Sequence, residues 1–292
     1  MKVSVGICTY QRPKVVAAVR SVAAQACPPG VTLDIIVADN ESTPAAQAAI
    51  AALAAELPAQ VRYVHAPERN ISIARNAVLT HADGDWLAFL DDDEIAEPDW
   101  LARLLAHAGQ ADVIFGPAIA RYPADAPDWI VAGDFHSNRL DKAAARMGQG
   151  HSCNVAIRWR GAPWMDVRFD PTLGRSGGED TAYFQALRDR GARMAYEPAA
   201  IVREDAEPHR LSFDWLWRRR FRYGQTHALL LIRAGASRPI EIAKAAAKAS
   251  ACFAAAGAFA GSVGARNRWL LRAALHCGVV ARLSGRAALE LY

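Results

Sequence analysis

Residues 84–94 read Gly84-Asp85-Trp86-Leu87-Ala88-Phe89-Leu90-Asp91-Asp92-Asp93-Glu94, an apolar run that ends abruptly in acid. Five apolar residues in a row suit a strand, one of those expected around a mostly parallel sheet. The three consecutive aspartates at its carboxyl end concentrate negative charge, and a hard divalent cation would offset their mutual repulsion. Because side chains alternate along an extended segment, Asp91 and Asp93 are expected to point the same way. They would then offer oxygens to Mg2+ or Mn2+ that also grips a diphosphate. The competing reading is a solvated acidic turn that caps a helix starting near Glu97.

Upstream, three more β-branched runs at 33–38, 61–65 and 3–8 alternate with candidate helices near 43–56, 71–82 and 13–25. That alternation predicts βα units around a mostly parallel sheet. Each strand ends in polar residues: Thr9-Tyr10-Gln11-Arg12, Asp39-Asn40-Glu41, Pro67-Glu68-Arg69-Asn70 and the aspartates at 91–93. Ligands of open α/β sheets bind outside the carboxyl ends of the strands, so these four clusters can converge on one site. Asp39 could accept hydrogen bonds from a base or ribose, or could cap a turn. Arg75, beside Asn76 on a helix opened by Asn70, could pair at the surface or contact a diphosphate.

Downstream the pattern is less regular, as an acceptor-binding half would be. It predicts a strand over 112–120, a loop over 123–134, a strand over 152–157 and a short strand over 193–197. Between the last two, Gly174-Arg175-Ser176-Gly177-Gly178-Glu179-Asp180 reads as a glycine-rich turn opening a helix near 180–190. The glycines allow close backbone approach by a ligand, but acids at a helix start also simply complement its dipole. Trp100, Trp129, Trp159 and Trp164 suit either sugar stacking or core packing.

Charge divides the chain. Residues 1–209 carry 20 Lys and Arg against 27 Asp and Glu, a net of −7, whereas residues 210–292 carry 14 against 3, a net of +11. That asymmetry points to an acidic catalytic or metal-binding body and a basic tail facing either nucleic acid or an anionic membrane. The tail reads as helical, and its Arg218-Arg219-Arg220-Phe221-Arg222 run is either a solvated face or a set of guanidinium forks for diphosphate. Seventeen uncharged residues separate Lys248 from Arg266, but most are Ala, Gly and Ser, whereas a membrane span takes about 20 predominantly apolar residues. With Arg266, Arg268 and Arg272 around Trp269-Leu270-Leu271, helices lying in a membrane interface are the better expectation. Five cysteines with no C-x-x-C pair argue against a disulfide framework or zinc knuckle. The opening apolar run lacks the length and cleavage region of a signal peptide, so a reducing cytoplasm is expected.

Taken together, Thr9-Tyr10-x-Arg12-Pro13, Val37-Ala38-Asp39-Asn40, Ala74-Arg75-Asn76, the 84–93 segment and Gly177-Gly178-Glu179-Asp180, in this order, resemble the family 2 inverting glycosyltransferases. More narrowly, 70–76, Gly133-Asp134-Phe135-His136-Ser137, 176–181 and Arg219-Arg220-Phe221-Arg222-x-Gly224-Gln225-Thr226-His227 resemble the ExoM-type glucosyltransferases of succinoglycan assembly. The resemblance extends to about residue 230. It implies an α/β GT-A fold with a Rossmann-like nucleotide-binding half, a mixed central sheet and a C-terminal helical membrane-associating region. The implied division is a domain over 1–210, with a nucleotide-sugar half over 1–110 and an acceptor half over 111–210, and a basic amphipathic tail over 211–292.

The resemblance further implies Thr9 and Asp39 near uridine, Arg12, Arg75 and Glu179 in the donor site, and Asp91 with Asp93 as the metal-binding pair, Asp93 being the main ligand. Asp180 is implied as the general base, and Arg219 and Arg222 as contacts to an acceptor diphosphate. The implied reaction moves a hexose, glucose the first candidate, from a UDP-sugar to a polyprenyl-diphosphate-linked oligosaccharide in exopolysaccharide biosynthesis. Its place would be the cytoplasmic face of a bacterial-type inner membrane, with peripheral or monotopic attachment and no nucleic-acid partner. One departure stands out: where many relatives place a metal-binding His, this chain has Ile201-Val202-Arg203-Glu204, with His209 beyond. Arg203 on the diphosphate, or Glu204 or His209 on the metal, all remain open. A sugar nucleotidyltransferase is the alternative class, but no glycine-rich, lysine-bearing phosphate loop follows the first strand. Nor does a G-x-G-x-x-G dinucleotide fingerprint.

Overall fold

The computed structural model describes residues 1–140, 142–287 and 289. The described chain divides into two units, one formed by 1–121, 137–175 and 179–205, the other by 122–136, 176–178 and the residues from Ala206 onward.

The first unit opens with β1 (Lys2–Thr9), α1 (Val15–Ala23), β2 (Thr32–Asp39), α2 (Gln47–Glu56), β3 (Gln60–His65), α3 (Ile71–His81) and β4 (Trp86–Asp91). It continues with β5 (Glu94–Ala96), α4 (Trp100–Leu105), β6 (Val113–Phe115) and β7 (Ala118–Arg121). Helix α5 (Asp128–Gly133) belongs to the second unit. The first unit resumes with α6 (Lys142–Arg146), β8 (Asn154–Arg158), α7 (Glu179–Asp189), β9 (Met194–Tyr196) and β10 (Val202–Asp205).

Seven strands form the main sheet in the order β3-β2-β1-β4-β8-β6-β9. The first four run parallel, β8 runs antiparallel to both β4 and β6, and β9 is parallel to β6, so the sheet is mixed. The predicted strands are there, and Val3, Val5 and Ile7 of β1 and Leu87, Ala88 and Leu90 of β4 are fully buried or nearly so. Helix α1 covers one face with Val15, Ala18, Val19 and Val22, the i, i+3, i+4, i+7 stripe of an amphipathic helix. Helix α3 starts where Asn70 accepts a hydrogen bond from the Ser72 amide, a side-chain cap on an otherwise unsatisfied donor.

Two readings of the irregular half need correction. The run 112–120 is two strands, because Gly116-Pro117 interrupts it; β6 stays in the main sheet while β7 joins β10 and β5 in a separate three-stranded sheet. Residues 123–134 are not all loop, since α5 occupies 128–133. Three of the four tryptophans weighed for sugar stacking are core residues, and the fourth, Trp129, is half-buried. Trp100, Trp159 and Trp164 are fully buried, their indole N–H groups donating to Asn154 Oδ1, the Ala82 carbonyl and the Arg158 carbonyl. Trp129 packs against Phe135 and Phe213 in the second unit.

The second unit is helical. After a 3-10 turn at Pro208–Arg210 come three 21-residue helices, α8 (Phe213–Arg233), α9 (Arg238–Ala258) and α10 (Val263–Leu283). Ser212 caps α8 by accepting from the Trp215 amide. Helices α8 and α10 meet through paired glycines: a Cβ on Gly224 would collide with the Leu275 carbonyl, and one on Gly278 with the Phe221 carbonyl. The five cysteines are all free thiols.

Candidate active site

The chain leaves β1 toward β2 and β3, then returns to the other side of β1 as β4, so the switch point of the parallel sheet lies between β1 and β4. Register aligns Thr9 with Asp39, Asp39 with His65 and Cys8 with Asp91 along one sheet edge. Open α/β sheets bind ligands at that position.

The aspartates do not continue the extended strand. Strand β4 stops at Asp91, and 92–93 form the turn into β5. The alternation argument therefore fails, and the arrangement of the three acids is set by their partners instead. Arg12 Nη1 donates to Asp92 Oδ1 at 2.9 Å and to Asp93 Oδ2 at 2.7 Å, and Thr9 Oγ1 donates to Asp92 Oδ2 at 2.7 Å. Asp92 is thus the structural anchor of the turn. Burial, reinforced by Asp93, Asp92 and Asp180 and opposed by Arg75, pushes the Asp91 carboxyl up to about 7. Glu94, which accepts from the Asp91 amide, is pushed well above the usual carboxylate range by burial and by the neighbouring Asp91 and Glu204.

The second acidic pair reaches the same place through Arg75. Its Nη1 donates to Glu179 Oε1 and to Asp180 Oδ1, both at 2.8 Å, and the guanidinium also lies close enough to Asp91 to interact electrostatically. Ser152 adds a hydroxyl bond to Asp180 Oδ1 at 2.8 Å and an amide bond to Oδ2 at 3.1 Å. A carboxylate offers about four lone-pair sites, so Oδ2 keeps one for an incoming hydroxyl. Glu179 is buried with Oε2 lacking any hydrogen-bond partner, and burial followed by the Asp180 charge raises its carboxyl. Positive φ at Gly177 (86°) and Gly178 (99°), a region that favours glycine, shapes the turn before α7.

Asp39 and Arg203 both have partners within the protein. Asp39 is buried and accepts from the Glu41 amide, the Ala46 amide and the Tyr63 hydroxyl, so it ties the loop after β2 together. Arg203 donates from Nε to Glu97, while Glu204 faces Glu94 across the β10–β5 ladder. His209 lies in the 3-10 turn of the second unit.

An open cavity of about 610 Å³ beside β1 and β2 is lined by Tyr10, Glu41, Ser42, Pro67, Glu68 and Arg69. Arg69, at φ 44°, holds its guanidinium 5.5 Å from the Tyr10 ring centroid. Sequence reading assigned no role to Tyr10, Arg69 or Ser152. The strand-end clusters already contained Tyr10 and Arg69, so their position was the available signal; Ser152 carried none.

In the second unit, Arg219 lies over the Trp215 ring at 5.1 Å and donates to the Tyr223 hydroxyl at 2.7 Å. Arg222 approaches Gly177 from α8. Behind them His136 is 5% exposed, stacks on Trp215, and hydrogen-bonds the Arg210 carbonyl through Nε2. Burial, with Arg219 and Arg210 nearby, pushes its imidazole down to about 4.

The acids at the β4 end fit a hard divalent ion. Asp91 and Asp93 would supply carboxylate oxygens, and a cation would relieve the electrostatic strain on half-buried Asp91. Among the described residues no three His, Cys, Asp or Glu side chains form a metal cage. A pair of carboxylates is the protein's share when Mg2+ or a similar ion takes its other ligands from phosphate and water.

A parallel-sheet switch point crowned by carboxylates and reached by a second acidic pair is the site of a GT-A glycosyltransferase. The chain belongs to glycosyl transferase family 2, whose family model matches residues 4–159, and it is a glycosyltransferase enzyme. It is 43% identical to the succinoglycan biosynthesis protein ExoM of Rhizobium meliloti (strain 1021), across 100% of this chain and 96% of that protein. Among solved structures, the mannosyltransferase PcManGT from Pyrobaculum calidifontis, in complex with GDP-Man and Mn2+, superposes with a TM-score of 0.68 at 21% identity, covering 96% of this chain and 86% of its own. TarS 1-349 of S. aureus in complex with UDP gives 0.53 at 18% identity, covering 97% and 88%. These two likenesses show the α/β GT-A fold.

Proposed function

We propose that this glycosyltransferase moves a hexose, glucose the first candidate, from a UDP-sugar to a polyprenyl-diphosphate-linked oligosaccharide, with inversion, during exopolysaccharide assembly. The observation that carries the mechanism is Arg75 Nη1 held 2.8 Å from Asp180 Oδ1 within reach of the Asp91 charge. That one guanidinium joins the donor-side acids to the acid that serves as base.

The nucleoside occupies the cavity by Tyr10 and Arg69, where a ring face and a guanidinium suit a base and its phosphates. Asp39 acts by holding the adjoining loop. Asp91 and Asp93 would hold Mn2+ or Mg2+, Asp93 as the main ligand, and Arg12 keeps Asp93 in place. Such an ion would supply charge neutralisation for the departing UDP, so no separate acid would be required. Asp180 Oδ2 accepts the proton of the acceptor hydroxyl as that oxygen forms its bond to the anomeric carbon opposite the diphosphate. The bond from the anomeric carbon to phosphate oxygen breaks in the same displacement, and configuration inverts. Ser152 and Arg75 keep the base aimed, and Glu179 supports Arg75.

Arg219 and Arg222 take the acceptor diphosphate, and the basic helical tail attaches the enzyme peripherally to the cytoplasmic face of an inner membrane. To test this reading, purified enzyme is incubated with individual UDP-sugars, Mn2+ and membrane extract. UDP release with one donor, abolished by a chelator and restored by Mn2+, is expected. Folded protein that releases no UDP with any donor overturns it.

A further inference from the structure

Helix α9 is apolar on two opposite faces and packed on only one. Its buried positions, Ala245, Ala249, Cys252 and Ala256, recur at spacings of four, three and four, and Ala245 joins a cluster with Val279 and Leu283 of α10. The 3.6-residue period brings Ile240, Ala243, Ala247, Ala251, Ala254 and Ala258 to the opposite side, every one exposed. Ile240 adds a large side chain to this side, Phe253 stands on its flank, and Phe259 and Val263 follow at the α9–α10 turn. Ile240 is 54% exposed, Phe253 44%, Phe259 49% and Val263 50%, half of the eight large hydrophobics exposed among the described residues. Large apolar side chains exposed together beyond a packed face mark a surface that meets an apolar partner.

The charge around the stripe identifies what covers it. Exposed Lys248 and Lys244, the latter paired with Glu241 at 2.8 Å, border it along one edge of α9, and no charged residue follows until Arg266. On α10, Arg268 and Arg272 are exposed, with Arg272 5.0 Å from the Trp269 ring centroid. A second copy of this chain would bring one cationic rim against another, whereas an anionic bilayer supplies both apolar interior and countercharge. No helix among the described residues is long and apolar enough to cross a membrane. A one-sided apolar stripe with cationic borders is the pattern of a helix lying in the plane of the interface. We infer that the outer face of α9 and the α9–α10 turn, residues 240–263, is the surface that enters an anionic membrane interface. This rests on the proposed peripheral attachment and assigns it to one face.

The test sediments the full chain with phosphatidylcholine vesicles, with and without about one-third phosphatidylglycerol. Wild type binds the anionic vesicles, and F253E/F259E lowers partitioning at least about tenfold while donor-only UDP release is unchanged. Ala254→Glu, at the centre of the stripe, repeats the loss should the double variant fold poorly. Lys244→Glu with Lys248→Glu removes the preference for anionic lipid, and Met147→Glu, an exposed apolar site in the other unit, changes nothing. Wild type that binds alongside unaffected F253E/F259E and Ala254→Glu overturns the face but leaves peripheral attachment standing. Wild type that binds no vesicle overturns both. A wild-type dimer that F253E/F259E converts to monomer overturns the membrane as occupant.

Discussion

Arginine does different physical work in the two units. In the sheet unit, Arg12 and Arg75 each bridge two carboxylates from a single nitrogen, and Arg75 is almost wholly buried. Arginines lie over aromatic rings in both units, Arg69, Arg75 and Arg158 in the first and Arg210, Arg219 and Arg272 in the second, but the second set sits in a segment where 14 basic residues meet 3 acidic ones. Buried arginine balances internal charge and fixes geometry, whereas ring-stacked arginine in a basic segment suits an anion from outside. Preorganised chemistry and recognition thus use one side chain under two degrees of burial.

The comparison can be broken most directly at the base. Asp180→Asn keeps the side-chain shape and one acceptor oxygen but cannot take a proton, so transfer should fall about 10²- to 10⁴-fold while calorimetric UDP binding persists. Near-normal turnover would remove Asp180 from the mechanism. Arg75→Met tests the structural side, because it leaves buried Glu179 and half-buried Asp180 without their countercharge. A loss of about 3–5 kcal/mol in denaturant unfolding is expected. A stability close to wild type would show that these acids do not depend on Arg75.

His136 sharpens the contrast through pH. Its folded-state value near 4 lies below the unfolded value near 6.5, so the unfolded chain takes the proton first as pH falls. Stability is therefore fully present above about 6.5 and lost toward pH 4, by about 3 kcal/mol, a loss that His136→Gln should remove. Tyr122, Asp134, Arg210 and Arg219 are the ionisable groups around it, and the two arginines oppose protonation. Next in size is Gly278→Val, which forces a side chain onto the Phe221 carbonyl and should cost about 1–3 kcal/mol by thermal unfolding. Smallest is Arg219→Ala, with KM for a lipid-diphosphate acceptor raised about three- to tenfold and donor KM unchanged. An altered donor KM would place Arg219 on the wrong substrate.

Legibility in the sequence followed periodicity. β1 to β4 and α1 to α3 were readable because each is a continuous apolar or amphipathic run between polar strand ends. β5, β7 and β10 are three or four residues long and pair only with one another, so no local period announces them. The 112–120 segment looked continuous because hydrophobicity continues through it, while Gly116-Pro117 redirects the backbone into a second sheet. The tryptophans were ambiguous for a related reason: an indole against a sugar and an indole in a core look alike until the partner of the N–H is known.

Local order along the chain was enough to establish the family, the parallel half-sheet, the acids that crown it and the basic helical tail. Those properties depend on residue type and spacing over one or two turns or strands, and they survive without coordinates. Pairing belongs to the tertiary structure alone: that Arg12 clasps Asp92 and Asp93, that Asp39 closes its own loop, that Arg75 draws in Asp180 from 105 positions away, and that α9 leaves one apolar face bare. Coulombic and hydrogen-bond energies depend on distances through space, and only the folded backbone sets those distances.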